Sequence, residues 1–191
     1  RSSYESGPLA RMEWIKCIGL LLGKSEEAER IFAEQLARIE PLLDQDPTGK
    51  TVAFFSVTGS NLINVRKGGD YVAQMIAMAG GTYLFADLAE NGNSLSTMNI
   101  PQETFYAKAR EADVLIYNST IEGVVDTRRQ LIEKCAMLAD FKAVQSGDCW
   151  CTAKSFFQQT MSLPDLVVDM HRVFTEGDPA PEELSLLQKI D

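Results

Sequence analysis

Apolar residues recur at steps of three and four from Pro8 to Leu22 (Leu9, Met12, Ile15, Ile18, Leu21 and Leu22), which is the spacing of one helical face. Gly23 ends that segment. A second stripe (Ile31, Phe32, Gln35, Leu36, Ile39, Leu42, Leu43) predicts a helix of about twenty residues, from Ser25 to about Gln45. Ser25 is its expected cap, and Glu26 and Glu27 suit the positive end of its dipole. After the turn Asp46-Pro47-Thr48-Gly49, the pattern changes to the continuous run TVAFFSV at Thr51 to Val57, as expected of a strand covered on both faces. The stretch from Lys67 to Gly81 then reads as loop, helix and stop. Gly68 and Gly69 permit a sharp bend or close approach to a ligand, and Asp70 can cap the helix. Val72, Met75, Ile76 and Ala79 form its apolar face, and Gly80-Gly81 terminates it.

Beyond this helix the pattern predicts a short strand at Thr82 to Phe85 and a polar loop at Ala86 to Asn99 containing Asn91-Gly92-Asn93. A helix opens at Pro101 with Phe105, Ala109 and Ala112 apolar, and a buried strand follows at Asp113 to Asn118. Ser119 to Gly123 reads as a loop, Val124 to Leu138 as a helix, and Asp148 to Thr152 as a strand. Leu163 to Phe174 has the stripe of a closing helix. The acidic remainder, Thr175 to Asp191, carries Pro179 and Pro181 and predicts a short helix around Glu182 to Leu187. Strands alternating with helices imply an α/β layer fold with parallel pairing through right-handed crossovers, and a binding edge in the loops after the strands.

Composition narrows the function. A chain of 191 residues with 45% hydrophobic content can bury a real core. Its net charge of -9 and the absence of any Lys/Arg cluster argue against nucleic acid. Apolar runs such as Ile18 to Leu22 fall far short of the roughly 20 residues that cross a bilayer. The opening RSSYESGP has neither a signal-peptide apolar run nor a cleavage site, so the chain is expected to begin inside a longer protein. Cys149 and Cys151 share a strand face and could clip a soft metal, but two thiols without nearby histidines make a poor site. Buried thiols are the expectation, with no metal and no cofactor.

No phosphate loop ending in Gly-Lys-Ser/Thr and no Gly-x-Ser-x-Gly elbow occurs. The single histidine, His171, is expected on a solvated helix surface, and most carboxylates lie on helix faces. Catalysis is therefore unsupported. Ligand chemistry falls to the loops: Thr58, Ser60, Asn61, Asn64, Arg66 and Lys67 after the first strand, Asn118 to Glu122 after the next, and Trp150, Thr152, Lys154 and Phe156 near the last. Arg66 and Lys67 could meet an anion. Tyr117, Trp150 and Phe156 could supply apolar walls, with a core role the alternative for Tyr117 and Trp150.

Several segments, taken in order, carry a resemblance: Arg11 to Lys16 (RMEWIK), Gly23 to Ala28 (GKSEEA), Gly68 to Gly81 (GGDYVAQMIAMAGG), Ile100-Pro-Gln-Glu103, Glu111 to Ile116 (EADVLI) and Phe141 to Gly147 (FKAVQSG). Together they resemble the second half of the periplasmic-binding-protein family for iron-siderophore, haem and cobalamin uptake by ABC importers, over roughly residues 4 to 175. The resemblance implies a Rossmann-like, three-layer C-terminal lobe with a mainly parallel sheet at 48–175. It further implies a helical connector at 1–47 containing the rigid backbone helix, an acidic tail at 176–191, and an absent N-terminal lobe. It places a preformed metal chelate beside Asn61, Asn64, Arg66, Lys67, Tyr117, Asn118, Glu122 and Trp150, with Tyr4 to Arg11 from the cleft rim. Glu103 would dock an arginine pocket of the ABC permease. Such a receptor is non-catalytic, extracytoplasmic and anchored to the membrane as a lipoprotein, and the fragment could dimerise through apolar surface left exposed. Two other readings stay open: a metal- or cofactor-binding subunit of a nitrogenase-like two-lobe enzyme, with Cys149 and Cys151 as the place to look, and a stand-alone small-molecule sensor domain.

Overall fold

A computed structural model describes residues 8–88, 96–153 and 163–191. Two helices, α1 (Pro8–Leu21) and α2 (Ser25–Leu43), form a hairpin ahead of the first strand, β1 (Thr51–Val57). The chain then forms β2 (Ile63–Arg66), α3 (Tyr71–Met78), β3 (Thr82–Tyr83), β4 (Thr97–Ile100), α4 (Gln102–Ala109) and β5 (Val114–Tyr117). It continues through α5 (Ser119–Glu122), α6 (Arg128–Lys134), a 3-10 helix (Ala136–Asp140), α7 (Lys142–Ser146), β6 (Cys149–Thr152), α8 (Leu163–Glu176) and β7 (Leu187–Lys189).

The sheet runs in the order β4-β2-β1-β5-β6-β7, with β3 also on β1. Its centre is parallel, through β1–β3, β1–β5 and β5–β6, and its flanks are antiparallel, through β1–β2, β2–β4 and β6–β7. The register of the parallel core explains the continuous apolar runs. Phe55, Tyr117 and Cys151 lie side by side and face Phe105 of α4, whose ring is 4.7 Å from that of Phe55 and 5.5 Å from those of Phe85 and Phe141. On the opposite face, Gly81 is so close to Phe174 of α8 and Val52 of β1 that a Cβ there would meet them at 2.6 and 3.0 Å. Helices thus cover both faces, which gives the three layers expected.

Asp70 caps α3 by accepting the Val72 N–H at 2.9 Å, and Gly80 takes the left-handed φ of +86° that stops the chain after it. At the start of β1, the Asp113 carboxylate accepts the Thr51 N–H at 2.9 Å, the Thr51 hydroxyl at 2.8 Å and the Lys142 ammonium at 2.5 Å. Burial pushes this carboxyl up, but those three donors outweigh it and bring its pKa down to about 2.

Several expectations are corrected. Ser25 is the first residue of α2 rather than its cap; Lys24 holds the cap position without a side-chain bond. Ile18 and Leu21 do not face inward: Ile18, Leu20, Leu21 and Leu22 are exposed, because Gly19 is the residue against α2, where a Cβ would lie 2.4 Å from that of Ala28. The polar loop before Pro101 contains β4, and the long helix from Val124 is a shorter one opened by the Thr127–Gln130 capping box. Gly68 packs against the chain itself, where an added Cβ would lie 1.8 Å from the Ala86 carbonyl oxygen. His171 is half-buried, with Nδ1 3.2 Å from the Ala79 carbonyl oxygen. The terminal helix around Glu182 reduces to a 3-10 turn (Pro181–Glu183), and Leu187–Lys189 adds β7 antiparallel to β6. That strand is clamped by the buried Asp169 of α8, whose carboxylate accepts the N–H groups of Ser185 at 3.0 Å, Leu186 at 2.6 Å and Leu187 at 2.9 Å.

Candidate functional site

Parallel strands end together, so β1, β5 and β6 bring their C-terminal ends to one edge of the sheet. After β1 the chain turns back through 58–62 into β2. Thr58 closes this turn: its N–H donates to the Leu62 carbonyl at 2.8 Å, and its hydroxyl both donates to that carbonyl and accepts the Leu62 N–H, each at 3.1 Å. Asn61 sits at φ 60°, a left-handed position that asparagine tolerates. Its carbonyl accepts the Gln102 amide of α4 at 3.0 Å.

After β5, Asn118 is buried and caps α5, accepting the Thr120 N–H at 3.3 Å and the Thr120 hydroxyl at 2.6 Å. Ser119 is also buried. Its N–H donates to the Thr152 hydroxyl at 3.1 Å and its own hydroxyl bonds the Thr152 carbonyl, tying this edge to the end of β6. Gly123, at φ +84°, ends α5 and leaves Ile121 and Glu122 exposed, with Val124 exposed in the segment that follows. The edge therefore offers hydroxyls and amides beside two exposed aliphatic residues and one carboxylate.

The structure separates the expected site residues. Asn61, Asn118 and Glu122 lie on this edge. Asn64 is inside β2, paired across the sheet with Asn99 through a 2.7 Å side-chain bond, and the expected binding loop from Asn61 to Lys67 is largely that strand. Arg66 and Lys67 are buried. Arg66 pairs with Asp70 at 3.7 Å, and its backbone N–H and carbonyl are both held by the Tyr83 hydroxyl, at 3.0 and 2.8 Å. Burial raises the Tyr83 phenol. Tyr117 is fully buried at the end of β5, where burial, then the nearby Glu122 carboxylate, pushes its phenol up to about 12. Trp150 is 1% exposed, in the second position of β6, and packs beside β7 instead of the loops. Tyr117 and Trp150 take the core role, and their polar atoms find no hydrogen-bond partner among the described residues. Glu103 is exposed in the first turn of α4. Tyr4, Lys154, Phe156 and Asn91-Gly92-Asn93 lie outside the described residues, as do the side chains of Arg11 and Trp14.

Val124 is the edge residue that sequence reasoning passes over, since it is expected to open a helix, whereas Ile121 lies inside the expected loop. Cys149 and Cys151 point to one face of β6 as expected, but that face is buried, and burial pushes Cys149 up to about 12. Among the described residues no group of three or more His, Cys, Asp or Glu is placed to hold a metal ion.

No family model matches the sequence, and no curated protein matches it. Solved structures do. The periplasmic haem-binding protein HutB of Vibrio cholerae superposes with a TM-score of 0.70 at 14% identity, over 91% of this chain and 65% of its own. A periplasmic haem-binding protein of Pseudomonas aeruginosa gives 0.70 at 17%, over 96% and 65%. A protein of the ABC-type Fe3+-hydroxamate transport system of Saccharomonospora viridis gives 0.68 at 17%, over 86% and 55%. This chain shares their fold. It spans 55–65% of the length of these three proteins.

Proposed function

We propose that this chain is the C-terminal lobe and connecting helix of a non-catalytic solute receptor that delivers a metal chelate, an iron-siderophore, haem or a cobalamin-like compound, to an ABC permease. One observation carries the reading: 86–96% of the chain superposes on two haem-binding proteins and a protein of an Fe3+-hydroxamate transport system, while covering under two thirds of each. An N-terminal lobe supplies the rest, and the chelate lies between it and the edge at 58–62 and 118–124. The receptor works outside the cytoplasm, held at the membrane as a lipoprotein. The exposed apolar end of α1 is covered by the remainder of the receptor, or by a second copy in the isolated chain. Buried Tyr117 and Trp150 have no ligand role in this reading, and Arg66 and Lys67 act within the fold.

Glu103 is the permease-docking residue. A carboxylate on a rigid, exposed helix end can register a basic partner. Glu103→Arg is expected to weaken permease stimulation by the full receptor while chelate affinity stays unchanged; the reverse pattern contradicts the assignment. The binding claim is tested by titrating the protein with haemin, a ferric trihydroxamate and cobalamin, followed by visible absorption. Saturable one-to-one binding of one chelate supports the reading, and no binding of any of them overturns it.

A further inference from the structure

A cavity of about 480 Å³ lies against the last strand, walled by Trp150, Pro179, Pro181, Leu184 and Leu187. None of its lining residues belongs to the loops after β1 or β5. We propose that this cavity is a second ligand site, independent of the loop edge, for a small organic cation: an amine or guanidine carried on an apolar body. The volume falls within the range of about 300–1,000 Å³ typical of small-molecule sites. Its walls are preformed. Two prolines fix the backbone on one side, and the Asp169 clamp holds Ser185 to Leu187 on the other, so a ligand bears little ordering cost.

Charge selects the ligand class. The polar lining includes Asp178, Lys189 and Asp191. Lys189 and Asp178 form an ion pair with each other, which leaves the Asp191 carboxylate, with Glu182 exposed beside Pro181. The local balance is negative, and so is the chain as a whole at -9. The Lys189 ammonium, held by Asp178, sits 5.7 Å from the Trp150 ring centroid, so the Asp191 carboxylate is the anchor left for a ligand's charge.

Phenylalaninamide combines a cation with an apolar ring; N-acetylphenylalaninamide is its neutral counterpart and N-acetylphenylalanine its anionic one. Binding of each to the 191-residue chain can be followed by methyl NMR shifts of Leu184 and Leu187. The cation is expected to bind saturably, about fivefold more tightly than the neutral probe, the factor that one partly screened ion pair supplies. Its shifts should be confined to residues 178–191 and β6. Leu184→Arg should abolish binding with the melting temperature retained. Asp191→Asn, a milder surface change, should bring the cation and neutral probes to near equality. Equal or tighter binding of the neutral or anionic probe, shifts centred elsewhere, or no binding of any of the three would overturn the assignment.

Discussion

Asp169 offers the sharpest test of how the C-terminal strand is held. Its carboxylate, 1% exposed, accepts three consecutive backbone N–H groups, at 2.6 to 3.0 Å, and two of those donors belong to the buried Leu186 and Leu187. Asp169→Ala leaves all three donors without an acceptor. A buried donor left unpaired costs about 1–3 kcal/mol, so three would exceed the gain from seating so short a strand. The segment should then open and hydrate, which caps the loss at about 3 kcal/mol. Asp169→Asn keeps one acceptor oxygen but turns amide hydrogens toward the other donors, and should cost roughly half as much. Urea denaturation gives the global value, and amide exchange shows where it falls. Protection should collapse at Ser185, Leu186, Leu187 and Ile190 while β1 and β5 keep theirs. A loss under about 0.5 kcal/mol with protection of 185–187 unchanged would refute the clamp.

Gly68→Ala should destabilise by about 3 kcal/mol, since its Cβ would fall 1.8 Å from the Ala86 carbonyl oxygen, whereas Gly69→Ala, with open space around it, should stay within about 1 kcal/mol. Equal denaturation midpoints for the two would contradict the packing described. The Asp113 pKa of about 2 lies below its ordinary value of 3.8, so its stabilisation is complete above pH 4 and lost as pH falls through about 2. Asp113→Asn should therefore cost about 1–2 kcal/mol at pH 7, allowing for the half-exposed Lys142, and the gap from wild type should close towards pH 2. A gap constant with pH would sink that assignment. Of the four cysteines, exposed Cys17 should react rapidly with a thiol reagent, and Cys135, Cys149 and Cys151 only on unfolding. Fast labelling of more than one thiol in the native protein would contradict it.

Long elements were legible because burial wrote their periodicity. β1 has the boundaries its apolar run implies, α2 and α8 follow their stripes, and α3 follows both its stripe and its Asp70 cap. β2 and β4 were not, because INVR and TMNI are four-residue strands with polar members whose pairing depends on partners 35 residues apart, as Asn64 and Asn99 show. The Thr127–Gln130 capping box was present in the sequence and would have placed the start of α6, but the apolar stripe around it outweighed it. The candidate site was half legible. The loops after β1 and β5 follow from strand order, whereas the inward pairing of Arg66 with Asp70 and the burial of Trp150 beside β7 depend on tertiary contacts that no local pattern carries.

The central claim is that a metal chelate contacts this chain at the edge formed by 58–62 and 118–124. Amide NMR of the labelled protein with each paramagnetic ferric chelate, against its diamagnetic gallium counterpart, tests that directly. Selective, distance-dependent broadening at Asn61, Asn118, Ile121 and Glu122, with Ile18 to Leu22 and residues 178–191 unaffected, is the predicted result. Broadening centred away from that edge, or none with any chelate, would contradict it.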